Sequence, residues 1–202
     1  MKRLAVRLKT KSIPFFITLL FLIGCESKSP YDSPLSSLKD WESEVREFPL
    51  KFAPNFKYNG KEFIKYAPGW KKNNQTDFFS YVFLWNIDKN PELNASELEF
   101  IMEVYYDGLI NSKLNKKPGT VPGIPVTKAF FEEINPNLFV GKVLTYDFLN
   151  NSGSVELNIT VETQKCGEDE SFLILYKISP KEIKNPIWKK LNKADITTIC
   201  KE

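Results

Sequence analysis

The chain has 202 residues, with 28 Lys+Arg against 25 Asp+Glu for a formal charge of +3, and no histidine. That length suits one domain with appendages, and 42% hydrophobic with 26% charged residues fits neither a wholly disordered chain nor a polytopic membrane protein. The missing histidine removes Ser-His-Asp and Cys-His nucleophiles, His-ligated metals and His-based pH switching, and three cysteines are too few for a four-cysteine metal site.

Residues 1–24 carry Lys2, Arg3, Arg7, Lys9 and Lys11 and no acid, and an apolar run follows from Ile13 to Ile23. A basic stretch before a short apolar one predicts a secretory signal peptide. The run is shorter than the roughly 20 residues that a transmembrane helix needs. It ends in Leu22-Ile23-Gly24-Cys25, which resembles the bacterial lipobox. That resemblance implies cleavage before Cys25, lipidation of its thiol, and a membrane partner held through the N-terminal acyl chains. Each buried methylene of such a chain contributes about 0.8 kcal/mol, so several chains anchor firmly. Losing the five basic residues of the segment leaves 23 against 25 acidic, a formal −2. The apparent basicity is therefore a translocation signal, and no nucleic-acid partner is expected. Glu26, in place of the aspartate that marks inner-membrane retention in enteric bacteria, points to a cell-envelope protein, on the outer membrane in a Gram-negative cell and facing periplasm or surface.

Cys25 and residues 26–37, rich in serine and proline, read as a flexible tether reaching at most roughly 40 Å. Residues 38–202 then form a single globular α+β domain. Strands are predicted at 44–50 and 61–67, the second ending in the turn Tyr66-Ala67-Pro68-Gly69-Trp70. The stretch 78–87 is apolar on both faces, with Phe79, Tyr81, Phe83, Trp85 and Ile87 on one and Phe78, Val82 and Leu84 on the other. It reads as a central strand covered on both sides.

Asn94 can cap a helix, with Glu97 three residues on and Leu93 and Leu98 as a staple. Leu98, Ile101, Met102, Tyr105, Leu109 and Ile110 then recur at helical spacing. Gly108 weakens the last turns by about 1 kcal/mol relative to alanine. Residues 115–125 form a loop. The rest reads as a C-terminal β-meander: 139–148, the Asn150-to-Gly153 turn, 155–161, a turn, then 172–178. Val155, Leu157, Ile159 and Val161 point in and Glu156, Asn158, Thr160 and Glu162 point out. A short final helix around 186–191 docks Trp188. The fold class is α+β, one or more antiparallel sheets with one long amphipathic helix packed on a face.

No motif assigns a catalytic, cofactor-binding or metal-ligating residue. In an oxidising envelope Cys166 and Cys200 are expected to form a disulfide, worth roughly 3–4 kcal/mol in the chain-entropy model. Glu97, Glu99 and Glu103 lie on the helix's polar side, and Glu132-Glu133 and Glu168-Asp169-Glu170 in expected loops. All read as solvated surface, with an acid/base pair the sharper alternative. Trp70 in its turn, beside Lys71 and Lys72, is the candidate contact for a partner, a glycan or headgroups; a packing role for that indole is the plainer reading.

Phe52-Ala53-Pro54, the Tyr66–Trp70 turn, Phe79-Ser80-Tyr81-Val82-Phe83-Leu84-Trp85, Tyr105–Leu109, Cys166 and Ser179-Pro180 together resemble an uncharacterised family of exported bacterial proteins, over roughly residues 45–180. The resemblance implies a shared exported domain and brings no activity. This chain departs from it at Thr145–Phe148, where the family more often has Trp-Ile-Glu-Pro-Phe. The expected function is a membrane-anchored, non-enzymatic lipoprotein domain that binds an envelope protein or glycan. The alternative is a carboxylate-based envelope enzyme acting on glycan or cell-wall material.

Overall fold

A computed structural model describes residues 33–166 and 171–199. Cys25, the signal segment, most of the tether, the 167–170 turn and Cys200 lie outside the described residues. Seven strands, β1 (Glu42–Glu47), β2 (Gly60–Tyr66), β3 (Tyr81–Ile87), β4 (Lys128–Asn135), β5 (Leu138–Tyr146), β6 (Ser154–Cys166) and β7 (Ser171–Ser179), form one sheet. Its order is β1-β2-β3-β7-β6-β5-β4, with every pair antiparallel. Two meanders, β1–β3 and β4–β7, thus meet through β3 and β7, joined in the chain by helix α1 (Ala95–Leu114).

β3 is central and nearly every residue in it is buried. Its alternation divides the core. Tyr81, Phe83, Trp85 and Ile87 join Leu98, Ile101, Met102, Tyr105 and Tyr106 of α1 on the first face, while Val82 and Leu84 join the second. Phe83 lies flat between Tyr105 and Tyr176, with ring centroids 5.2 and 4.2 Å away. The second face is covered by α2 (Ile187–Leu191), α3 (Ile196–Ile199) and a 3-10 turn at Ser36–Leu38. There Trp188 is buried and its indole N–H donates to the Lys181 carbonyl at 2.8 Å.

Helix α1 begins as its sequence dictates: the Asn94 side chain accepts from the Glu97 amide at 3.0 Å, and Asn115 ends it in the left-handed conformation. Its acidic residues do more than face water. Asp107, Glu103 and Glu99 accept from the backbone amides of Thr127, Ala129 and Phe131 at 2.8, 3.3 and 3.0 Å. Four helical residues advance about 6 Å and two strand residues about 6.8 Å, so carboxylates at every fourth position match every second amide of an edge strand. The open edge is covered by this ladder from Thr127, just ahead of β4, to Phe131 in its first half.

Several expectations need correction. Glu132 and Glu133 belong to β4, not to a loop. This strand escapes a periodicity reading because Phe130 and Ile134 are about half exposed on an edge, so no clean alternation marks it. Phe78 packs on the first face with Phe79, because Phe79 takes a positive φ of 52° that turns the chain ahead of β3. The packed body also starts ahead of residue 38, since Leu35 is fully buried beneath the second face. Among the described residues the sheet is single, and strands outweigh helices.

Candidate functional site

On the first face, the side of α1 away from β4 meets β1 at a groove. Its deeper part, about 260 Å³, is lined by Glu42, Glu44, Arg46, Trp70, Tyr105 and Lys113 among others. A shallower part of about 450 Å³ continues past Leu50, Lys51 and Phe52. Alternation along β1 puts Glu44 and Arg46 on this face, and the turn after β2 brings Trp70 over Tyr66, ring on ring at 4.0 Å and 14°.

Arg46 organises the floor. Its Nε and Nη2 donate to the two Glu44 oxygens at 2.8 and 2.9 Å, and Nη2 also donates to the Tyr66 hydroxyl at 3.1 Å. Nη1 donates to Glu62 at 2.9 Å and to the Tyr105 hydroxyl at 3.3 Å. All five guanidinium N–H groups are therefore occupied. Glu62, on β2, is completely buried, and its other oxygen accepts from the Trp85 indole at 2.9 Å. The Tyr66 hydroxyl closes the circuit by donating to Glu44 at 2.7 Å.

Burial pushes the Glu62 carboxyl up, opposed by the charge of Arg46 and the bonds from Trp85 and Tyr105. Burial also acts on Glu44, but the bonds from Arg46 and Tyr66 and the Arg46 charge outweigh it and hold that carboxyl below its ordinary value. Arg46 loses some of its charge preference to burial, yet its neighbours hold it far above the usual range. A depressed carboxyl stabilises the fold above its unfolded pKa and loses that contribution as pH falls through the folded one. Glu44→Gln should therefore lower stability near neutral pH and leave it unchanged at about pH 2, measured by urea denaturation at both.

The residues singled out from sequence divide here. Trp70 and Lys71 line the groove; Lys71 ion-pairs with Glu42 at 3.3 Å, lies over the Trp70 ring at 5.0 Å, and the Trp70 indole donates to Glu42 at 3.3 Å. Lys72 is exposed and outside it. Glu97 serves the α1 cap through its amide, and Glu99 and Glu103 belong to the β4 ladder. Arg46, Glu44 and Lys113 carry no sequence signal beyond ordinary charged residues on a strand and a helix end. Glu62 on β2 was missed as well, since its burial against Arg46 and Trp85 is visible only in the fold.

Among the described residues no group of three or more cysteines, aspartates and glutamates could hold a metal ion, and no helix is long and apolar enough to cross a membrane. Cys166 ends β6 and, like Ile199 of α3, packs against the second-face core; its expected partner, Cys200, lies outside the described residues. Comparisons with protein-family models, curated proteins and solved structures found no match.

Proposed function

We propose that this is an envelope lipoprotein of the exported type that its sequence resembles, tethered through Cys25, and that its work is binding in the groove between β1 and α1. The observation that carries this reading is the closed Arg46 network. With every guanidinium donor and both oxygens of Glu62 engaged, the floor is a rigid, preformed surface. Trp70, Leu109 and Lys113 are left at the groove's wall, and Lys113 makes no ion pair among the described residues. Aromatic and apolar area set beside charges that the Arg46 network fixes in place suits recognition.

The carboxylate-enzyme alternative fits less well. Glu62, whose carboxyl is pushed up, is sealed from the groove, and Glu44, which lines it, is held ionised. The other carboxylate of the deeper part, Glu42, is held by Lys71 and the Trp70 indole, so that part offers no pair of free carboxylates of the kind a two-carboxylate mechanism requires.

A photocrosslinking side chain placed at Lys113 of the anchored protein, in living cells, tests the groove. The reading expects a discrete adduct that is absent when the same group is placed at Lys189 on α2. Equal labelling from both positions would contradict it. For the anchor, Cys25→Ser should release the protein from membranes and abolish acyl labelling. Mass mapping of unreduced protein should recover a Cys166–Cys200 linked peptide pair; alkylatable thiols at both would refute the pairing.

A further inference from the structure

The two edges of the sheet are treated differently. At β4 the outward amides of Thr127, Ala129 and Phe131 are occupied by carboxylates of α1. At β1 nothing comparable happens. Phe48 bonds Gly60 in the β1–β2 register, so Glu42, Glu44 and Arg46 point their backbone groups to β2 and the intervening residues point theirs away. The N–H and C=O groups of Ser43, Val45 and Glu47 therefore stand along an open edge, without a partner among the described residues.

That edge runs beside the groove. A chain laid along β1 would set every second side chain into the space bounded by Trp70, Leu109 and Lys113. Donors and acceptors that alternate at strand spacing are matched by another extended backbone, which neither a glycan nor a lipid headgroup supplies. Charge narrows the partner. Glu42 is paired with Lys71, and Glu44 and Glu62 with Arg46, leaving Glu47, Lys51 and Lys113 as the unpaired charges of the groove. Arg46 serves two carboxylates, so these charges sum to zero over the whole groove, and the positive excess is local: Lys51 and Lys113 stand against Glu47 in the part lined by Ser112.

We propose that β1 is a strand-addition site that takes an extended polypeptide segment, apolar at alternate positions and carrying acidic residues toward Lys51 and Lys113. This rests on the groove-binding reading and specifies the class of ligand. The site needs no rearrangement of Arg46, whose bonds all lie on the floor.

The test uses the purified mature protein and an array of random-sequence peptides. Acidic, alternately apolar peptides should bind, and amide exchange should slow at Ser43, Val45 and Glu47. N-methylation of the peptide at the alternate residues facing β1 should weaken binding about tenfold or more, since each methyl removes an inter-strand hydrogen bond. Val45→Pro should do the same, and proline is tolerated where an edge N–H points outward. The N-methyl series decides the matter even if that variant folds poorly. Failure of every peptide to bind, binding without protection of the β1 amides, or indifference to N-methylation at both sets of alternate peptide residues would each overturn strand addition. If instead soluble peptidoglycan strands shift the Trp70 and Lys113 signals while the β1 amides exchange freely, the groove reading stands and the peptide is wrong. If neither probe moves any groove residue, both readings lose their support.

Discussion

Replacing Arg46 by alanine should remove about 3–5 kcal/mol of folding stability, because it leaves a buried carboxylate without its counter-charge. Glu62 is fully buried, and Arg46 supplies both its charge partner and one of its hydrogen bonds. The cost is not the value of the ion pair itself. It is the penalty of keeping Glu62 charged in an apolar setting, together with the loss of donors to Glu44, Tyr66 and Tyr105. Removing both charges by Arg46→Met with Glu62→Leu should therefore recover much of the loss. The pH dependence has a definite sign. In the Arg46→Ala protein burial still raises the Glu62 carboxyl and its main opponent is gone, so the native state binds that proton more tightly than the unfolded chain. Stability of the variant should then rise as pH falls toward the carboxylate range, narrowing its gap to the parent. Urea denaturation at neutral and acid pH measures this; a loss within about 1 kcal/mol, the size of an exposed pair, would mean that the network is not closed as described.

Gly108→Ala should destabilise the protein by about 2–3 kcal/mol, although helix propensity alone favours alanine by about 1 kcal/mol. The helix passes the β1–β2 connection so closely that a Cβ at residue 108 would stand 2.2 Å from the Phe52 carbonyl oxygen. A backbone oxygen cannot swing aside, so either α1 or the 48–56 connection must move. That connection supplies Leu50 and Phe52 to the groove, and Phe52 also meets Tyr105 edge-on at 5.1 Å. The substitution should thus disturb the groove as well as the fold. Thermal unfolding settles the sign, and a rise in Tm would show that propensity outweighs the contact.

Gly108 illustrates which part of the molecule was readable in advance. Its cost to the helix follows from composition, but its reason lies in a residue 56 positions earlier. The central strand, the Asn94 cap, the apolar stripe of α1 and the alternation of β6 are local patterns, and each appears in the fold where its pattern predicts. β4 is not local in this sense. It is held by pairing with β5 and by carboxylates from α1, and its own side chains are largely exposed. The same holds for the candidate site. Trp70 and Lys71 stand out as an aromatic next to cations in a turn. The Arg46 floor comes instead from three separate elements, β1, β2 and α1, and no spacing in the chain joins them. The acidic residues of α1, open to a catalytic reading when seen alone, acquire a structural role once the edge of β4 is beside them.

The open seam between β1 and α1 is proposed as the working surface of this protein. Amide hydrogen exchange compares the purified protein with its proposed Cys25-anchored form in envelope membranes. Added protection is expected at Ser43, Val45 and Glu47 and over the last turn of α1 near Lys113, with α2 and β4 unchanged. Identical exchange at the seam in both preparations, or added protection confined to α2 and the second face, would contradict it.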